Sequence, residues 1–332
     1  MSRIALCASL LIACGGNTSG AGHVDARGSA GLDAPASRID GGGGTPDAPP
    51  VTTSDAAAAI DPADDGPYAV STSTKTIPGA KASRSLPATL FVPVDGPTPR
   101  ALVVISPGFQ LQRTQYTSLA RHLATWGFSV VLTDYADTGF FADHTELAND
   151  VPAVITWSIA EPSLAVDAQR IAVAGHSLGG DISTFAASLD PRIKAVIGWD
   201  PVDASNPSVV PEKMSAITAA IAVVGETTDK SGGGMPCAPA GDNFEAFYAA
   251  SPAPAIQVTI VGASHMNWVD DPSCLVCGFC TAGTATPATV HTITRRLDVA
   301  WLRRQLYADT SMDAWLDHPP ELATGEVAIA RR

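Results

Sequence analysis

The sequence predicts an α/β architecture: a mostly parallel sheet of about eight strands with helices on both faces. Three observations lead there. From residue 68 onward, short β-branched runs alternate with helical stretches, the pattern of strands joined by crossover helices. Several of the runs, such as 101–106 (ALVVIS), are apolar throughout, as strands buried on both faces must be. One run passes directly into a glycine-flanked serine and then a helical stretch, at 175–180 (GHSLGG).

In chain order, residues 1–14 read as an export leader. Arg3 supplies the positive start, and 4–13 is an apolar run too short to span a bilayer. Its end, Leu11-Ile12-Ala13-Cys14, resembles a bacterial lipobox. A lipid on Cys14 would hold the mature chain at a membrane surface of the bacterial cell envelope, such as the outer membrane, without a spanning helix; an ordinary leader would release it as a secreted protein. Residues 15–67 are rich in Gly, Ala, Ser, Asp and Pro, including four consecutive glycines at 41–44. With almost nothing larger than Ala to bury, this segment is expected to be a disordered tether, with an end-to-end distance of roughly 40 Å.

The catalytic-domain texture runs from 68 to 310. Leading strands are expected at 68–77 and 88–92, then a buried strand at 101–106, a helix at 115–126 and a strand at 128–133. A helix follows at 146–159 despite Pro152, then a strand at 170–174 and a helix opening at Leu178. Further strands are expected at 194–199, 220–224 and 255–261, with a short helix at 243–248 and a closing amphipathic helix at 288–306. Residues 311–332, polar and carrying Pro319-Pro320, read as a loose tail.

The formal charge is −13 over 332 residues, and eight Asp against Arg27 and Arg38 give the 15–67 segment −6 of it. Basic residues occur only singly or in pairs such as Arg295-Arg296. Attraction to a phosphate backbone is therefore unsupported, and nucleic acid is not an expected partner.

The chemistry is expected at Ser177. A Gly-x-Ser-x-Gly run between a strand and a helix puts the serine on a tight turn, its hydroxyl raised above the sheet. Gly175 and Gly179 are needed because the turn brings backbones too close to admit a Cβ. This context is that of an α/β-hydrolase, and the helix N-terminus favours the negative charge that develops in acyl transfer. A seryl hydroxyl needs a base, and in this fold the chain order is Ser, acid, His. Of the histidines beyond the serine, His265 follows a strand in a flexible loop, His291 falls within a predicted helix and His318 in the tail. His265 is the expected base, and His176 a hydrogen-bonding neighbour. For the acid, Asp200, Glu226 and Asp229 each follow a predicted strand, and spacing does not separate them.

Further residues carry a family resemblance. They are Pro107-Gly108-Phe109, Tyr116, Trp126-Gly127-Phe128, GHSLGG at 175–180, AVIGWDPVD at 195–203, PCAP at 236–239, Phe244 to Tyr248, and SHMNWVDD at 264–271. From about 101 to 307 the chain resembles the chlorophyllase group of α/β-hydrolases, related to platelet-activating-factor acetylhydrolases. The resemblance implies that the Asp of the Asp-Pro-Val run, Asp200, is the acid. It also implies cleavage of carboxylic esters without a cofactor, the alternatives being a short-acyl phospholipid acetylhydrolase, a polyester hydrolase or an idle binding lipoprotein. The substrate partner is thus a small-molecule or lipid ester. The backbone N–H groups of Leu178 and Phe109 are the expected oxyanion donors, Pro107 having none. Trp199 and Trp268 flank these positions and are expected to line an apolar acyl pocket.

Cys7 falls in the leader and Cys14 in the lipobox, leaving Cys237, Cys274, Cys277 and Cys280. An even number in an exported domain favours two disulfides, with three pairings possible. A zinc site would need four ligands, and no His lies close in sequence, so no metal is expected.

Overall fold

The computed structural model describes residues 60–135, 138, 142–203, 207–231, 236–272 and 277–332. The leader with Cys14, most of the expected tether, and Cys274 lie outside them. The elements in order are β1 (Val70–Pro78), β2 (Ser85–Pro93), β3 (Arg100–Ser106), α1 (Thr117–Thr125), β4 (Ser129–Thr133), α2 (His144–Ala160), β5 (Val166–His176) and α3 (Leu178–Leu189). They continue with β6 (Ile193–Trp199), β7 (Ala220–Gly225), α4 (Phe244–Ala250), β8 (Ala255–Ile260), α5 (Pro287–Tyr307), α6 (Asp313–Asp317), α7 (Pro320–Thr324) and β9 (Val327–Arg331).

The strands form one sheet in the order β1-β2-β4-β3-β5-β6-β7-β8-β9. Its middle, from β4 to β8, is parallel, while β1, β2 and β9 run antiparallel to their neighbours. Alternation along the strands divides the interior in two. Ala101, Val103 and Ile105 face a core closed by α1 and α5, whereas Leu102 and Val104 face the core under α2, α3 and α4. Both faces of β3 are buried, which explains its unbroken apolar run. Each such aliphatic side chain contributes roughly 1.5–3 kcal/mol.

Local signals set the helix starts. Asp143 caps α2 by accepting the Thr145 and Glu146 N–H groups. Asn243 caps α4, and Thr286 caps α5 just before Pro287. Pro152 lies inside α2 without ending it. No helix among the described residues is long and apolar enough to cross a membrane.

Two expected boundaries are corrected. Residues 60–67 are packed rather than part of a loose tether: Asp61 pairs with Arg296 of α5, and Asp64 O accepts the Trp126 indole N–H. His122 of α1 contacts Pro62 O and Asp65. The polar 311–332 segment is not loose either. It supplies α6, α7 and β9, which pairs with β8 from Val327 to Arg331. Its apolar residues are sparse, but Met312, Leu316 and Val327 are all buried.

Candidate active site

The expected site residues lie at the C-terminal ends of adjacent parallel strands, where open α/β sheets place their ligand crevices. Ser177 separates β5 from α3 with φ 54° and ψ −124°, a backbone conformation costing about 1–3 kcal/mol for a non-glycine residue. Surrounding bonds hold it there. Its N–H donates to Trp199 O, and its carbonyl accepts the N–H groups of Gly180, Asp181 and Val202. The flanking glycines are sterically required: a Cβ on Gly175 would lie 2.2 Å from Gly179 O, and one on Gly179 would lie 2.1 Å from Ser106 O.

Asp200, one residue beyond β6, is a second strained position, with φ 42°. Its N–H donates to Val224 O at 2.6 Å. Asp200 Oδ2 lies 2.6 Å from His265 Nδ1, with the carboxylate fully buried. Burial raises the Asp200 pKa, opposed by the hydrogen bond and charge of His265, while Asp229 raises it further. The imidazole is thus the main partner favouring the ionised carboxylate.

The other two candidate acids bond elsewhere. Asp229 Oδ2 accepts the backbone N–H of His265 at 3.3 Å, and its Oδ1 accepts the Thr281 N–H at 2.8 Å. Glu226 Oε2 accepts the N–H groups of Asp229 (2.7 Å) and Thr228, closing its own turn. Burial and the neighbouring Asp200 push the Glu226 carboxyl up to about 7. Of the three carboxylates, Asp200 meets the imidazole and Asp229 its backbone. Spacing could not separate them because all three follow the C-terminal ends of neighbouring parallel strands, Asp200 after β6 and Glu226 and Asp229 after β7.

His265 opens the short helical turn His265–Trp268, closed by Ser264 and Asn267. The loop after β7 ties it down from one side, with Thr228 Oγ1 donating to Ala263 O and Thr227 Oγ1 accepting the Gly262 N–H. Asp229 of the same loop lies against the disulfide Cys237–Cys280, its carboxylate within 4.8 Å of both sulfurs. This pairing is one of those the sequence left open.

Leu178 is the first residue of α3, so its N–H is among those lacking an intrahelical acceptor. Phe109 follows β3 and is half-buried. The expected role of the tryptophans is corrected. Trp199 and Trp268 are fully buried and anchored to α5, through Asp298 and through Thr294 Oγ1 respectively. They pack inward, stacking on Tyr116 and His176, and their indole N–H groups are satisfied there by α5. Asp203 accepts the Val209 and Val210 N–H groups and the Ser208 hydroxyl. What sequence reasoning missed is the buried polar contact of Tyr116 with His176; the one signal for it was a lone aromatic in the polar run 113–118 (RTQYTS).

The sheet, its covering helices and the strained serine between a central strand and its helix define an α/β-hydrolase fold. The chain belongs to the Chlorophyllase family, whose model matches residues 62–327. Among curated relatives it is 26% identical over 260 residues to Cutinase 1 of Thermobifida cellulosilytica, covering 76% of this chain and 86% of the relative. It is 26% identical over 260 residues to a cutinase of Thermobifida fusca, covering 76% and 74%. A bis(hydroxyethyl) terephthalate hydrolase of Streptomyces coelicolor is 26% identical over 221 residues, covering 64% of this chain and 60% of the relative.

Proposed function

We propose that this chain is a serine carboxylic-ester hydrolase of the polyester-hydrolase kind. The observation that carries the reading is the buried 2.6 Å contact of His265 Nδ1 with Asp200, beside a serine held at positive φ at the start of α3. The names of the cutinase and terephthalate-ester hydrolase relatives support the substrate class.

In this mechanism His265 Nε2 takes the Ser177 proton as Oγ adds to the ester carbonyl. Asp200 holds the Nδ1–H tautomer and stabilises the imidazolium. The N–H groups of Leu178 and Phe109 bind the alkoxide, each worth about 3 kcal/mol in the transition state. Collapse expels the alcohol, which receives its proton from His265. Water, deprotonated by the same base, then attacks the acyl-enzyme and releases the acid and free Ser177. None of these steps calls on a cofactor.

A fluorophosphonate probe tests the reading directly. The expected result is a single adduct on Ser177, together with turnover of p-nitrophenyl butyrate and of bis(hydroxyethyl) terephthalate. Folded protein that stays unlabelled at Ser177 would sink it. The leader and the Cys14 anchor belong to the same proposal, with a tether ending before residue 60. Labelled palmitate should enter the full-length protein in a bacterial host and be lost in Cys14→Ala.

A further inference from the structure

Behind Ser177 and His265 runs a buried line of polar groups whose proton positions follow from what each can donate. The His265 carbonyl can only accept, so His176 Nε2 carries the hydrogen in their 2.8 Å contact. Burial and the nearby His265 keep His176 neutral. Its Nδ1 is therefore bare and accepts the Tyr116 hydroxyl at 2.9 Å. The Tyr116 oxygen, its hydrogen committed, accepts the Gly108 N–H at 3.1 Å. Donation thus runs one way, from Gly108 through Tyr116 and His176 to the backbone of His265.

The line joins the loop after β3 to the loop after β8 beneath the site; the two also meet farther out, where Asp270 and Asp271 donate their backbone N–H groups to Gln115. Its fit is close. A Cβ on Gly108 would lie 3.1 Å from His176 Nδ1 and 3.3 Å from the His176 carbonyl. Both rings are fully buried, with Trp199 stacked on Tyr116 and Trp268 on His176. The His176 and His265 rings lie 4.7 Å apart.

We propose that Tyr116 and His176 are positioning residues that set the 107–109 loop and the His265 backbone in mutual register. This rests on the ester-hydrolase reading above. Neither side chain touches substrate. They act by keeping the Phe109 donor and the base at one spacing, and misplacing such groups by about 1 Å costs on the order of 100-fold in rate.

Tyr116→Phe removes only the hydroxyl and leaves both Gly108 N–H and His176 Nδ1 unpartnered. The expected result is a kcat about 10–100-fold lower with KM changed less than about twofold, in protein that keeps its cooperative thermal transition. His176→Leu should lose as much, and the double variant no more than the worse single, because both cut one line. His176→Gln, which can accept from Tyr116 and donate to His265 O, should recover part of the loss. Additive losses, or Gln no better than Leu, would overturn the proposal. Ring-nitrogen NMR on the wild-type protein reads the same line without turnover: His176 should hold the Nε2–H tautomer, and an Nδ1–H tautomer or an imidazolium at neutral pH would also overturn it. Failure of the ester-hydrolase reading would look different, as wild-type protein with no turnover and no label at Ser177.

Discussion

At the scale of single residues, three carboxylates of similar sequence context have separate tasks because they meet different partners. Asp200 meets the His265 ring, Asp229 the His265 and Thr281 amides, and Glu226 its own turn. Replacement should therefore separate them. Asp200→Asn is expected to lower kcat by about 10⁴ with little change in KM, since an amide cannot hold the productive tautomer. Asp229→Asn keeps an oxygen acceptor but must turn an N–H₂ toward one of two amide donors. It should chiefly lower the melting temperature, with a smaller effect on kcat. Ester kinetics with a thermal melt of each variant check this, and loss of activity in Asp229→Asn alone would reassign the acid.

At the scale of elements, the loop that carries the base is assembled from three segments: the turn after β7, the turn at His265–Trp268, and the strand of chain ending at Cys280. The disulfide Cys237–Cys280 joins the first and third across 43 residues. A crosslink of that span restricts the unfolded chain by about 4 kcal/mol in the chain-entropy treatment. Cys237→Ser with Cys280→Ser is expected to lower stability by about that amount in urea titration. The kcat should fall as well, because Asp229 and Thr281 lose the crosslink beside them. The nucleophile turn is less forgiving. Gly179→Ala places a methyl 2.1 Å from a β3 carbonyl and should give little soluble protein.

At the scale of the whole molecule, several buried carboxyls hold protons that the unfolded chain gives up. Asp298 is pushed up to about 8 by burial against its ordinary 3.8, and Glu226 up to about 7. A group whose folded pKa lies above its unfolded one binds more protons when folded between the two values. The stability these two groups contribute therefore falls as pH rises through roughly 4 to 8, while buried histidines with lowered pKa, such as His176, contribute in the opposite direction. Asp298→Asn, which can still accept the Trp199 indole N–H, should flatten the decline of melting temperature over that range. An unchanged slope would mean Asp298 is already ionised in the fold. The C-terminal segment is a second whole-molecule feature. Deleting 311–332 removes β9 and the buried Met312, Leu316 and Val327. It is expected to cost at least about 5 kcal/mol and to leave β8 as an open edge prone to association, both visible in urea titration and size exclusion.

The sequence by itself determined the parallel centre of the sheet, the serine turn and the position of His265. Those features are local: apolar runs of strand length, glycines where a Cβ cannot fit, and a histidine just past a strand. It also carried the family. Tertiary structure alone decided that Trp199 and Trp268 face the core, that Cys237 pairs with Cys280, and that residues 60–67 and 311–332 pack; for the carboxylate that meets the imidazole, spacing left three candidates and only the family resemblance pointed to Asp200. Each of these depends on contacts between segments far apart in the chain. Segments as polar as the last two are recruited by a few side chains, such as Asp61 and Glu321 on Arg296, that no periodicity reveals.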